Sequence, residues 1–377
     1  MKGKQGLVCM GLLLVLSSCH TGKQITASGL QRKDFQTEVN GQHTDLFTLS
    51  NKQGMEVCIT NYGARVVSIL VPDRNGKRKD VVCGFSTITE YMEQRQNFGS
   101  TVGRYIGRIL NARFTLDGVE YKLVPNNGKS GHISHGGNPG FADRIWKVEQ
   151  ADTHRVCLSY LSPDGENGFP GNLKVTLVYS LGEDDNALDL TYEATTDAPT
   201  VLNLSHHSFF NISGNFTKSV EDQQLWVDAD RFTPYDDKKC VTGEYLPVAG
   251  TPLDFRMPHA IGECIDADHP QLKVVNGYDH TWELNTKGDD TRPAAWVYDP
   301  ASGRKMEIFT TEPGMQIYTG NGLKGKMTGK GGIAYPFRSA VCFETMHFQD
   351  SPNQPGFPST VLRPGEVFRS HTVYKFE

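Results

Sequence analysis

The chain has 377 residues, 37% of them hydrophobic and 21% charged, with a formal net charge of −5. That balance suits a soluble globular protein with a sizeable core, and the lack of a basic patch or arginine-rich tract argues against a nucleic-acid partner. The length would hold two average domains, but single all-β domains often run longer than average.

At the N-terminus Lys2 and Lys4 precede an apolar run over residues 7–16, followed by Ser17, Ser18 and Cys19. Basic, apolar and small-residue regions in that order read as a signal peptide over residues 1–18, too short for a comfortable membrane span. The Leu16-Ser17-Ser18-Cys19 ending resembles a bacterial lipobox, so Cys19 is the expected lipidation site. Acyl chains there would anchor the protein to a membrane, at about 0.8 kcal/mol per buried CH₂. Residues 19–34 are then expected to be a lipidated N-terminus and tether, and the protein an exported lipoprotein facing the periplasm. Cys58, Cys83, Cys157, Cys240, Cys264 and Cys342 form no CxxC, and most sit in apolar runs.

Alternation dominates the rest. Asn75-Gly76 and Asp117-Gly118 are hairpin signals, the second joining residues 114–116 to residues 119–121. Helices are scarce; Thr87 and Glu90 could open one as a capping box. Leu173, Val175, Leu177, Tyr179 and Leu181 share a face, and Leu188, Leu190, Tyr192 and Ala194 repeat the pattern. With no composition shift inside, the residues predict one large antiparallel β domain of sandwich or barrel type.

Two strands carry chemistry. In residues 203–214, alternation puts His207 on a face with Asn203, Ser205 and Asn211, and His206 on the other with Leu202, Leu204 and Ile212. A core strand rarely builds a polar row unless something polar sits there, and histidine exchanges protons near neutral pH. Residues 339–346 are apolar on both faces except Glu344, which falls with Ala340, Cys342 and Met346. A buried carboxylate needs partners, and burial raises its pKa. A histidine and a carboxylate on strands could act as general acid and base, although nothing local shows that they meet.

These segments occur among others: Asn61-Tyr-Gly-Ala64, Gly103-Arg-Tyr with Arg108, Ser134-His-Gly-Gly137, Gly250-Thr-Pro-Leu-Asp254, Asn276-Gly-Tyr-Asp-His280, Pro313-Gly-Met-Gln-Ile-Tyr-Thr-Gly-Asn321, Phe343-Glu-Thr345, Asn353-Gln-Pro-Gly-Phe-Pro358 and Leu362-Arg-Pro-Gly-Glu366. Together, and in this order, they make residues 35–377 resemble an aldose 1-epimerase (galactose mutarotase). The resemblance implies a large antiparallel β-sandwich with a sugar groove on one sheet, and interconversion of sugar anomers without a cofactor or metal. It assigns Glu344 as base and His207 as acid. Arg108, His135, Asp279 and Gln316 would bind the sugar, with Gln316 positioning Glu344 or the substrate. The expected partners are a small-molecule aldose and, through Cys19, a membrane, for a monomer or weak dimer. A non-catalytic sugar-binding lipoprotein and an epimerase for another sugar are the alternatives.

Two departures stand out. The family pattern has asparagine immediately before the arginine, where this chain reads Ile106-Gly107-Arg108, so one substrate contact is missing or served by water. His206 likewise stands where related sequences often have asparagine. Rival motifs fail on context. Gly320-Asn-Gly-Leu-Lys-Gly325 fits GxGxxG without a following helix, and His132, His135, His206 and His207 match no zinc spacing. No GxSxG is present.

Overall fold

The computed structural model describes residues 24–377, so the expected signal peptide and Cys19 lie outside the described residues. The architecture is an antiparallel β-sandwich. A nine-stranded sheet runs in spatial order Lys147–Ala151, Arg155–Ser162, Leu173–Leu181, Ala187–Thr196, Phe368–Phe376, Lys305–Thr310, Ala295–Tyr298, Gln224–Val227 and His259–Ala260. A six-stranded sheet runs Phe209–Phe210, Val341–Met346, Gly314–Tyr318, Asp279–Glu283, Arg231–Thr233 and Leu246–Pro247. A four-stranded sheet, Leu46–Ser50 through Arg78–Asp80, packs beside them. Among the described residues no helix is long and apolar enough to cross a membrane.

Local chemistry explains most elements. In Leu173–Leu181 the five odd-numbered residues point into the core and those between are more exposed, the pattern that alternation predicts. Asp117 and Gly118 both have positive φ (52° and 79°), as a two-residue hairpin turn requires. The capping box forms on helix Ile88–Gln94: the Thr87 hydroxyl accepts the Glu90 N–H, and the Glu90 carboxylate accepts the Thr87 N–H.

The two large sheets bury Leu, Ile, Val and aromatic side chains between them. Polar ties cross the same layer: Tyr374 donates to the Phe343 carbonyl at 3.0 Å, and the Thr345 and Thr372 hydroxyls meet at 2.7 Å. Phe343 and Thr345 therefore face inward. Their neighbours Cys342, Glu344 and Met346 take the opposite face, away from the nine-stranded sheet.

Two expectations change in detail. Residues 203–214 are not one strand. Ser205–His207 pairs with Ser100–Val102, whereas Phe209–Phe210 pairs with Val341–Met346, so the chain changes partners at Ser208. The Ser208 hydroxyl lies 2.6 Å from His206 Nε2, which meets the polar needs of a ring buried in the sandwich. The described part of the expected tether, from Gln24 on, is docked. Glu56 accepts the Ala27 and Ser28 N–H groups, Arg32 pairs with Asp45, and Leu30 and Phe35 are buried.

Candidate active site

Register builds the site. Antiparallel pairing sets Thr281 opposite Gln316 and Gln316 opposite Glu344, which makes one row across three strands. The next row on the same face is Asp279, Tyr318, Cys342 and Phe209. His207 arrives from the strand that ends at the partner switch, and its ring stacks on Phe209 with centroids 5.1 Å apart. Loops and the short strand Arg108–Ile109 close the rim and bring Gly107, Arg108, His135 and Tyr235 to the same cavity, of about 270 Å³. That lies near the lower end of small-ligand pockets, roughly 300–1,000 Å³, and suits one small molecule.

All six residues expected at a site line this one cavity: His207, Glu344, Arg108, His135, Asp279 and Gln316. His207 Nε2 lies 3.3 Å from Glu344 Oε1, and both side chains are buried. Among the described residues Glu344 meets no other hydrogen-bonding side chain. Desolvation costs several kcal/mol per ion, and attraction repays it only with further hydrogen bonds. Burial therefore wins on both partners. It pushes Glu344 well above the ordinary carboxylate range, helped by the nearby charge of Asp279. Burial also holds His207 well below an ordinary histidine, helped by His135. The pair thus shares one proton over a wide pH range.

The surrounding groups are arranged unequally. His135 sits edge-on to His207, and burial with the charge of Arg108 holds it down to about 4. Arg108 donates to the Lys239 carbonyl at 3.0 Å. Asp279 is raised by burial, against the pull of Arg108 and Gln316. Of the two places expected for Gln316, beside Glu344 or beside the substrate, the contacts favour neither directly: its amide donates to Asp279 Oδ1 at 2.6 Å and accepts from Thr281 at 2.5 Å, while the residue lines the cavity.

Sequence reasoning missed Tyr235, Gln349 and Cys342. Cys342 had a signal, since it lies two residues before Glu344 on the same face; its Sγ is 3.7 Å from His207 Nδ1. Tyr235 and Gln349 come from loops without periodicity and had none. His207, Cys342 and Glu344 have ligand atoms close enough to hold a metal ion. Because Cys342 meets Nδ1 and Glu344 meets Nε2, one ion bound to the ring could take only one of them by direct approach.

Gly107 has φ +75°, and a Cβ there would lie 2.6 Å from Gln349 Cγ and 3.3 Å from Met346 Cε. The space left open in sequence is therefore occupied by the protein. His206, the other departure, faces the core, with Nδ1 3.4 Å from the Tyr179 hydroxyl, and does not line the cavity. Cys58, Cys83, Cys157, Cys240, Cys264 and Cys342 are all free thiols.

Known proteins carry the same pattern. The aldose 1-epimerase family matches residues 45–375. Galactose mutarotase of Sus scrofa is 39% identical over 330 residues, covering 88% of this chain and 93% of that protein. Aldose 1-epimerase of Escherichia coli K12 is 36% identical, covering 89% of this chain and 96% of that protein. Among solved structures, an aldose epimerase homologue from C. elegans superposes with a TM-score of 0.81 at 31% identity, covering 89% of this chain and 99% of that one. Galactose 1-epimerase from Lactobacillus acidophilus gives 0.79 at 28% identity, covering 90% and 96%. With its sandwich, its buried histidine–carboxylate pair and this similarity over nearly the whole described length, the chain belongs to the aldose 1-epimerase family.

Proposed function

We propose that this chain interconverts the α and β anomers of free aldohexoses, galactose and glucose among them, with Glu344 as base and His207 as acid. The observation that carries the reading is the His207–Glu344 pair, 3.3 Å apart in a cavity of monosaccharide size. A Glu344 carboxylate takes the proton of the C1 hydroxyl, the C1–O5 bond breaks, and the electron pair left on O5 takes the proton from His207 Nε2. An open-chain aldehyde results, with Glu344 protonated and His207 neutral. Rotation about C1–C2 turns the other carbonyl face toward O5. The 5-hydroxyl then returns its proton to His207 and attacks C1, while Glu344 returns its own to the carbonyl oxygen.

Burial disfavours charge on both groups and so stabilises the neutral pair, the protonation state of the open-chain intermediate. The ion pair that begins ring opening is the minor proton tautomer of this neutral pair, reached by moving the shared proton from Glu344 to His207. Each such group typically contributes about 10²–10⁴-fold in rate. Arg108 and His135 would hold hydroxyls near the ring, and Asp279, steadied by Gln316, would accept from others.

Residues 35–377 would form the catalytic domain of an exported lipoprotein, anchored through Cys19 after removal of residues 1–18. The support is Lys2, Lys4, the apolar run and the Leu16-Ser-Ser-Cys19 ending. Cys19→Ala should release the protein from the membrane fraction; unchanged membrane retention would sink the anchor.

The deciding measurement is polarimetric. Freshly dissolved α-D-galactose and α-D-glucose should reach their equilibrium rotation faster with the full chain present, and Glu344→Gln should abolish the acceleration. A fully active Glu344→Gln would refute the assigned base.

A further inference from the structure

We infer that Gln349 is the positioning residue of the sugar-binding wall, and that position 107 is glycine because Gln349 needs its space. This rests on the anomerisation reading of the same cavity and adds a residue that neither the family-like segments nor the strand periodicity singled out.

Gln349 is buried and lines the cavity, yet it lies on no strand. Its side chain bridges three parts of the wall. Nε2 donates to the Tyr235 hydroxyl at 2.7 Å and to Gln316 Oε1 at 3.3 Å, and Oε1 accepts the Arg108 backbone N–H at 3.3 Å. These contacts decide how Gln316 is oriented. Gln316 Oε1 receives two donors, Thr281 and Gln349, so its NH₂ must face Asp279 Oδ1. One Asp279 oxygen is then occupied, and the other remains to accept from a ligand. Tyr235 is held in the same network: its oxygen accepts from Gln349, and Gln316 is a second side-chain partner of its hydroxyl.

The wall therefore offers a hydrogen-bond acceptor at a set position, the Asp279 oxygen that Gln316 leaves free, as a sugar hydroxyl demands. A buried amide left with unmet bonds is costly, so the chain Tyr235–Gln349–Gln316–Asp279 resists rearrangement. Gly107 supplies the room. Any Cβ there would press on the Gln349 stem, and the +75° φ is one that few side chains other than Asn and Asp accept readily.

Polarimetric kinetics on the full chain test this. Gln349→Ala should raise KM for galactose about tenfold with a much smaller change in kcat, since the acid and base are untouched. Gly107→Asn should also raise KM, by displacing Gln349. The double variant Gly107→Asn/Gln349→Ala should have a lower KM than the two single effects predict, because removing Gln349 relieves the clash. A wild-type KM in Gln349→Ala would overturn the inference, as would strict additivity in the double variant. If Gly107→Asn does not fold, Thr281→Val replaces it in the cycle. Thr281 and Gln349 hold the same Gln316 oxygen, so those two should be strongly non-additive, and additivity would again overturn it. The anomerisation reading fails separately, if the wild-type chain itself gives no acceleration.

Discussion

Two of the histidine–carboxylate contacts among the described residues, His207 with Glu344 and His371 with Asp189 and Asp290, use similar side chains to opposite ends. In the cavity, His207 faces Glu344 at 3.3 Å, both buried, and the ring is held well below its ordinary value. On the outer face of the nine-stranded sheet, His371 lies 2.7 Å from Asp290 and 3.1 Å from Asp189, and its pKa is raised to about 8. The His371 ring keeps 32% of its side-chain surface exposed, so water shares the cost of its charge while two carboxylates bind it. His207 keeps only 8% of its side-chain surface exposed and meets one carboxylate, and desolvation prevails. Proximity of a carboxylate does not by itself make a histidine basic; the balance of burial against pairing does. The outer cluster holds a charge, and the inner one, in the proposed reaction, passes a proton.

The largest effect that would break this contrast is at His207. His207→Ala should lower kcat by about 10²–10⁴-fold with an unchanged circular dichroism spectrum, whereas His371→Gln should leave kcat near wild type. Equal losses in the two variants would mean that the clusters do not differ in kind.

A middle-sized test concerns Asp279. In the proposed mechanism the single-proton state of the inner pair is the active one, so the pH profile of kcat/KM should be bell-shaped. Its acid limb is set by the lowered His207 and its alkaline limb by the raised Glu344. Asp279→Asn removes a negative charge that raises Glu344, so the alkaline limb should move to lower pH. KM should also rise about tenfold, from loss of a charge-assisted hydrogen bond to the sugar. An alkaline limb that stays in place would show that Asp279 does not act on Glu344.

The smallest effect is the outer cluster's contribution to stability. A shift from 6.5 to about 8 corresponds in full to about 2 kcal/mol. With the ring near one-third exposed, screening roughly halves that, to about 1 kcal/mol. The folded-state value is raised, so the stabilisation is fully present below pH 6.5 and is lost as pH rises through about 8. Urea titrations of wild type and His371→Gln should therefore differ at pH 6 and converge by pH 9. A difference that persists at pH 9 would assign the loss to packing instead.

Much of this was legible in the residues. Leu173–Leu181, the Asp117-Gly118 turn and the Thr87–Glu90 capping box each follow from interactions within a few residues, and they formed as the pattern required. Several of the segments shared with relatives turn out to be architectural. Arg104 is buried and donates to the Pro170, Gly171, Ser162 and Pro163 carbonyls, and Asn321 donates to those of Val275 and Tyr278. They support the site from outside the cavity. The partner switch at Ser208 was not legible, because it depends on which strand each half meets. Nor was Gln349, whose loop has no period to expose it.

The sequence by itself determined which residues share a strand face, where the chain turns, and which side chains could exchange a proton. Those properties are set by the alternation of the backbone and by local hydrogen bonds. Only the tertiary structure decided that His207 meets Glu344, that Gln316 donates to Asp279, and that the open place beside Gly107 is filled by Gln349. Cross-strand register, desolvation and steric exclusion depend on groups brought together from distant parts of the chain, and so the protonation and shape of the site exist only once the sheets have packed.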